Sequence, residues 1–130
     1  KLQSFKDMEY IAVDSAHFGN NPPVWIKETF TLIAKEETEI AGFIRVKVDT
    51  GIAYIESLLV GEKFRRHGIG SDLVRAAEQK SKKIGAHKIW LETGVNWGTE
   101  DFYKKLGYEV RAVLPNHVAH QECLLMDKIF

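Results

Sequence analysis

The segment from Ile52 to Thr93 constrains the fold more than any other stretch of the chain. It opens on a dense apolar run, AYIESLLV, within the strand-like span Ile52–Val60. A glycine-rich turn follows, RRHGIG, Arg65 to Gly70. Ile69, Leu73, Ala76, Ala77, Lys80 and Ile84 then recur at helical spacing, with Lys80 as the one polar break, and Gly85 is a natural terminator. AHKIWLET, Ala86 to Thr93, reads as a strand again. A strand–helix–strand unit of this length implies parallel pairing through a right-handed crossover.

The flanks add antiparallel strands. ETFTLIAKE, Glu28 to Glu36, reads as a strand. In EIAGFIRVKVD, Ile44, Val46 and Val48 point one way and Phe43, Arg45 and Lys47 the other, which is period two. The short EETE between these runs predicts a hairpin, and Asp49–Gly51 a tight turn into Ile52. TEDFYKKLG predicts a short helix with Thr99 as N-cap, acids in its first turn, lysines in its last, and Gly107 ending it. YEVRAVL and ECLLMDKIF predict two closing strands. Before the loop FGNNPP, the segment FKDMEYIAVDSAHF predicts a helix with Met8, Ile11, Ala12 and Ala16 facing inward. The expectation is about six strands and three helices in an α/β or α+β mixed sheet.

A chain of 130 residues fits one domain and is long enough for a hydrophobic core. Its zero formal charge gives no global basic field for nucleic acid. The single cysteine, Cys123, excludes an internal disulfide framework and a cysteine-based zinc cluster. KLQSFKDMEY has no signal-peptide pattern, and no apolar run approaches membrane-spanning length. These features lead us to expect a cytoplasmic protein without nucleic-acid or membrane partners. A homodimer is compatible with them.

The turn itself suggests an anion site. Gly68 and Gly70 lack Cβ atoms, so backbone there can adopt unusual angles and approach a ligand closely. The helix that starts at this point presents unpaired N–H groups and the positive end of its dipole. Curled N–H groups of this kind suit a phosphate or pyrophosphate, and Arg65, Arg66 and His67 add donors. Tight packing is the competing explanation for such glycines. Leu73 occupies the third glycine position of the dinucleotide fingerprint, and no Gly-Lys-Ser/Thr follows as a P-loop requires.

A second string narrows the choice. R-x-x-G-x-G follows a strand ending in LLV, and about 25 residues later comes ETGVNWGTEDFYKKLGYEV. Together they resemble the GNAT superfamily of N-acetyltransferases, which use acetyl-CoA. Arg65, Gly68 and Gly70 match that family's pyrophosphate loop. Asn96, Phe102, Tyr103, Lys105, Gly107 and Tyr108 match its N-x-x-A-x-x-F-Y-x-K-x-G-F/Y block, with Thr99 where the family usually has Ala. The resemblance covers roughly Glu28 to Phe130, and the N-terminal part is short or atypical for the family. It implies a mostly antiparallel sheet with a central parallel pair. It also implies transfer of an acetyl group from acetyl-CoA to a primary amine by direct attack in a ternary complex, without metal. The alternatives are a non-catalytic CoA-binding or regulatory module on the same fold, and a generic nucleotide-binding α/β domain.

The resemblance further implies roles for particular residues. The strand before the turn should splay from its neighbour, so that backbone at Leu58, Leu59 and Val60 pairs with the pantetheine arm and one N–H there stabilises the developing oxyanion. Arg66, His67, Gly68, Ile69, Gly70 and Ser71 should wrap the pyrophosphate, and Asn96 should contact the cofactor arm or fix its loop. Tyr103 is the expected proton donor, since a phenol stays protonated at neutral pH. Glu56, expected to share an apolar face with Tyr54 and Leu58, is the candidate base. Glu92 is a further carboxylate on the adjacent strand. His117 and His120 read as solvated loop histidines, and Cys123 as a buried structural cysteine. Trp25, Trp90 and Trp97 could line an acceptor pocket or serve the core.

Overall fold

The computed structural model describes all residues, Lys1–Phe130, with six strands in one sheet and three α-helices. In chain order these are α1 (Leu2–Phe18), β1 (Lys27–Glu36), β2 (Glu39–Asp49), β3 (Ile52–Val60), α2 (Ile69–Ile84), β4 (Lys88–Gly94), α3 (Glu100–Lys105), β5 (Glu109–Leu114) and β6 (Cys123–Ile129). The strands lie in the order β1-β2-β3-β4-β6-β5. All neighbours are antiparallel except the central pair β3–β4. This is the mixed, mostly antiparallel α/β sheet that the sequence predicts.

Alternation along β2 produces the core. Ile44, Val46 and Val48 are fully buried on one face, together with Ala53 of β3, Ile89 of β4 and Met126 of β6. Leu73, Val74 and Ala77 of α2 cover that face. Each of the Val, Leu, Ile and Met side chains among them contributes roughly 1.5–3 kcal/mol by leaving water. The covering stripe of α2 differs from the predicted one. Ala76 and Lys80 are exposed, and the polar Glu78 and Ser81 are buried instead. Glu78 is accommodated because its carboxylate accepts hydrogen bonds from Tyr108 Oη at 2.8 Å and Lys128 Nζ at 3.0 Å. Lys128 Nζ also donates to the Leu106 carbonyl at 2.9 Å. This cluster ties α2 to the end of α3 and to β6.

The first helix forms where its periodicity predicts, but it buries nothing. Met8, Ile11, Ala12 and Ala16 all lie exposed rather than inward. Its links to the following segment are a hydrogen bond from Trp25 Nε1 to Asp14 at 2.8 Å and an edge-on contact between Phe18 and Trp25 at 6.2 Å. The Thr50 N–H donates to the Ile26 carbonyl at 2.7 Å and anchors that segment beside the β2–β3 turn.

Candidate active site

Two features of β3 create the site. The first is a break in pairing. Parallel registry with β4 holds at Ile52–Lys88, Ala53–Ile89 and Tyr54–Trp90 and then stops, although both strands continue. From Ile55 to Val60 the edge of β3 that faces β4 is therefore free, as the splay expected at Leu58, Leu59 and Val60 requires. The second is a bulge. Opposite β2, Arg45 pairs with Ser57 and Val46 with Ile55, which leaves Glu56 as the extra residue.

The bulge corrects the expected setting of Glu56. Leu58 pairs with Ile44, on the helix-covered face, and packs against the core. Glu56 stands instead on the open face, where Arg45 Nε donates to its carboxylate at 2.8 Å. Its surroundings are thus ionic, not apolar. Glu92 shares the opening between the strands, and its Oε2 lies 2.8 Å from His117 Nε2. His117, expected to be a solvated loop histidine, is thereby brought to a cleft carboxylate. His120 bonds to Asn116 at 2.7 Å, within its own loop. Sequence spacing could not reveal the Glu92–His117 pair, since its members are 25 residues apart on separate elements.

Tyr103 reaches the same opening from α3. It is 6% exposed, with its ring edge-on to Phe102 at 4.9 Å and to Tyr108 at 5.4 Å. Burial pushes its phenol up to about 12, so the hydroxyl is a neutral donor throughout the physiological range. The cleft lined by Glu56, Leu58, Glu92, Trp97 and Tyr103 has a volume of about 330 Å³. Trp97 folds over Gly94, where any Cβ would collide with the indole. The Thr99 hydroxyl does not cap α3; it faces that of Thr93. Asn96 sits in the turn after β4 with φ 68°, exposed.

The glycine turn closes one end of the opening. The backbone N–H groups of Arg66, His67, Gly68, Ile69, Gly70 and Ser71 donate to no backbone carbonyl. Arg66 (φ 68°) and Gly68 (φ 79°) are left-handed on either side of His67, the alternation that converges N–H groups into a nest. The two glycines differ in purpose. A side chain at Gly68 would meet open space but a strained φ, whereas a Cβ at Gly70 would press on Phe102 at 3.3 Å and Val60 at 3.6 Å. Gly70 thus serves close packing of the first turn of α2, while its N–H stays free of backbone partners. Arg65 turns back to the strand, its Nε donating to the Val60 carbonyl at 3.2 Å. These residues fit a pyrophosphate joined to an extended arm. Free N–H donors stand at one end, and a free strand edge leads from them towards Tyr103.

Tyr54 and Trp90, the last paired residues, stack with ring centroids 4.4 Å apart. Burial first, and then the charges of Glu92 and Glu56, push the Tyr54 phenol up. Trp90 therefore lies on the open face and not in the core. Cys123 is buried in β6, opposite Gly94, as expected of a structural cysteine.

Comparison with known proteins places this geometry. An N-alpha-acetyltransferase of Sulfurisphaera tokodaii is 28% identical over 109 residues, which cover 73% of this chain and 65% of the relative. The chain thus spans somewhat under two thirds of that curated relative. The crystal structure of an acetyltransferase from Bacillus cereus ATCC 14579 superposes with a TM-score of 0.76 at 22% identity, covering 100% of this chain and 93% of the other. An acetyltransferase of Bacillus anthracis str. Ames, solved in complex with acetyl coenzyme A, superposes with a TM-score of 0.73 at 26% identity, covering 88% and 67%. The acetyltransferase (GNAT) family profile matches residues 5–108. With that match across most of its length, and a sheet that parts at β3–β4 beside a ring of free N–H groups, the chain belongs to the GNAT acetyltransferase family.

Proposed function

We propose that the protein is an N-acetyltransferase that moves an acetyl group from acetyl-CoA to a primary amine by direct attack in a ternary complex. The observation that carries this reading is the parting of β3 and β4 beyond Tyr54–Trp90, with Tyr103 and two carboxylates facing the opening. Acetyl-CoA, when bound, supplies an activated thioester. The N–H groups from Arg66 to Ser71 hold its pyrophosphate, and the free edge of Leu58–Val60 holds its arm. One of those N–H groups stabilises the carbonyl oxygen as charge develops on it.

Tyr103 supplies the proton that the departing sulfur needs. No hydrogen bond within the protein raises its phenol, which leaves the hydroxyl available to a ligand. Proton removal from the incoming ammonium falls to the open face. Glu56 is one acceptor, directly or through water, with one carboxylate oxygen engaged by Arg45. Glu92, backed by the His117 imidazole at 2.8 Å, is the second route. Imidazole is the side chain best placed to pass a proton to solvent near neutrality.

The test is ligand-linked stability. Acetyl-CoA at a hundredfold excess over its Kd should stabilise the fold by about 2.7 kcal/mol. Free CoA should be released when a panel of primary amines is added. No thermal shift with saturating CoA or acetyl-CoA refutes the reading.

A further inference from the structure

An open cavity of about 590 Å³ lies over Tyr54 and Trp90, the open-face residues that precede Glu56 and Glu92 on their strands, and Trp25 lines it too. Its floor is the Tyr54–Trp90 stack, with centroids 4.4 Å apart at 36°. Its wall is Phe18 and Trp25 from the N-terminal segment, held edge-on to each other at 6.2 Å. Trp25 is 56% exposed and Phe18 46% exposed, and together with Tyr54 and Trp90 they form a contiguous aromatic patch of the kind that marks binding sites. The volume falls in the range of small-molecule sites, and the lining is mainly apolar, as in such sites.

The position relative to the chemistry is fixed by the strands. Glu56 follows Tyr54 by two residues, and Glu92 follows Trp90 by two, all on the open face. Two residues of strand span about 7 Å. A ring on the floor and a nitrogen at the carboxylates are therefore joined by a short tether.

We propose that this cavity is the acceptor site and that the acceptor is a primary amine carrying an aromatic ring a short tether from its nitrogen. The inference rests on the acetyltransferase reading and adds the substrate class. The ring lies between the Tyr54–Trp90 floor and Trp25, and the ammonium meets Glu92 and Glu56. An aliphatic chain would fill the same space but forfeit the ring contacts, and two such contacts are worth about tenfold in affinity. Lys47 and Asp49 close the far side and meet polar substituents on the ring. Both a free arylethylamine and a peptide beginning with Phe, Tyr or Trp carry this unit.

The experiment titrates 2-phenylethylamine, n-butylamine and a Phe-initiated peptide amide into the protein by calorimetry, with and without CoA. Turnover with acetyl-CoA is measured in parallel. The expected result is at least tenfold preference for 2-phenylethylamine or the Phe peptide over n-butylamine, in Kd and in KM. Trp25→Ala, which also gives up the hydrogen bond to Asp14 and the edge contact with Phe18, should remove most of that preference and leave CoA affinity unchanged. Whichever aryl ligand binds more tightly identifies the source. Equal or better binding of n-butylamine, or undiminished selectivity in both Trp25→Ala and Trp90→Leu, overturns the inference. CoA binding without aryl selectivity refutes this inference alone. Absent CoA binding refutes the acetyltransferase reading and leaves the amine titration to decide this one.

Discussion

Removing the hydroxyl of Tyr108 tests whether the buried Glu78 cluster holds the helix that carries Tyr103. Tyr108 is 2% exposed, and its Oη donates to the Glu78 carboxylate at 2.8 Å. Burial, followed by the charge and hydrogen bond of Glu78, pushes the Tyr108 phenol far up, so it stays a donor at any working pH. Tyr108→Phe keeps the ring and its edge-on contact with Tyr103 but deletes the bond. A hydrogen bond to a charged group is worth about 1.5–3 kcal/mol, so a loss near 2 kcal/mol is expected. Glu78→Gln also weakens the link to Lys128, whose side chain is 31% exposed and so partly rescued by water. Breaking a buried pair costs about 3–5 kcal/mol, and the exposure of Lys128 places this case at the lower end, about 3 kcal/mol. The two substitutions remove one shared bond. The double variant should therefore lose about 4 kcal/mol, leaving a coupling of about 1 kcal/mol. Urea denaturation followed by circular dichroism measures all four corners of the cycle. In a chain of this size each kcal/mol lowers Tm by about 4 °C, so Tyr108→Phe alone should fall by about 8 °C. Strict additivity, or a Tyr108→Phe loss below about 0.5 kcal/mol, would refute the reasoning.

Other outcomes follow from the same geometry. Tyr103→Phe should lower kcat by roughly 100-fold with little change in KM for acetyl-CoA, since the donor acts in the transition state; unchanged kcat where chemistry limits turnover would return the residue to the core. Folded protein keeps Tyr103 protonated to about 12, whereas an unfolded chain releases that proton from about 10 upward, so this contribution to stability is intact below 10 and is lost as pH rises through 12. Alkaline spectrophotometric titration should show that late phenol, and Tyr103→Phe should abolish it. Gly70→Val should weaken CoA binding at least tenfold by displacing Phe102 and the first turn of α2, while Gly68→Ala should cost about 1–2 kcal/mol of stability through its left-handed φ. At Asp127, burial raises the carboxyl, but hydrogen bonds from Arg111 and Lys88 outweigh it and hold it below the ordinary range. Its contribution is present above about pH 4 and lost on further acidification, and Asp127→Asn should flatten that acid limb of the stability curve.

The sheet was legible because its core face alternates at period two, with Ile44, Val46 and Val48 as the clearest run. The glycine turn and the α3 block were legible as strings. What escaped depends on distance in sequence. Glu78 finds its partners 30 and 50 residues away, so helical periodicity alone gives no sign of its burial. Glu92 and His117 meet across the sheet in the same way. The bulge at Glu56 leaves no mark in the residue pattern and shifts Leu58 to the opposite face. The periodicity of α1 predicts a helix but is silent on what covers it, and Met8 and Ile11 lie open in consequence.

The free edge of β3 carries a consequence for how such a protein can drift. A ligand arm that pairs with main-chain groups between Ile55 and Val60 reads no side chain along that stretch. Exposed Leu59 could be exchanged for many residues with the grip on the arm intact, provided the strand keeps its length. Insertion or deletion of one residue is another matter. Loss of the residue at the Glu56 bulge would restore unbroken registry with β2 and keep Leu58 on the covered face, whereas one residue added beyond the bulge would turn the end of the strand over. Substitution at Leu59 should therefore be cheap and an added residue before Leu58 costly, a contrast that a library of substitutions at Leu59 and single-residue insertions beside it would expose directly.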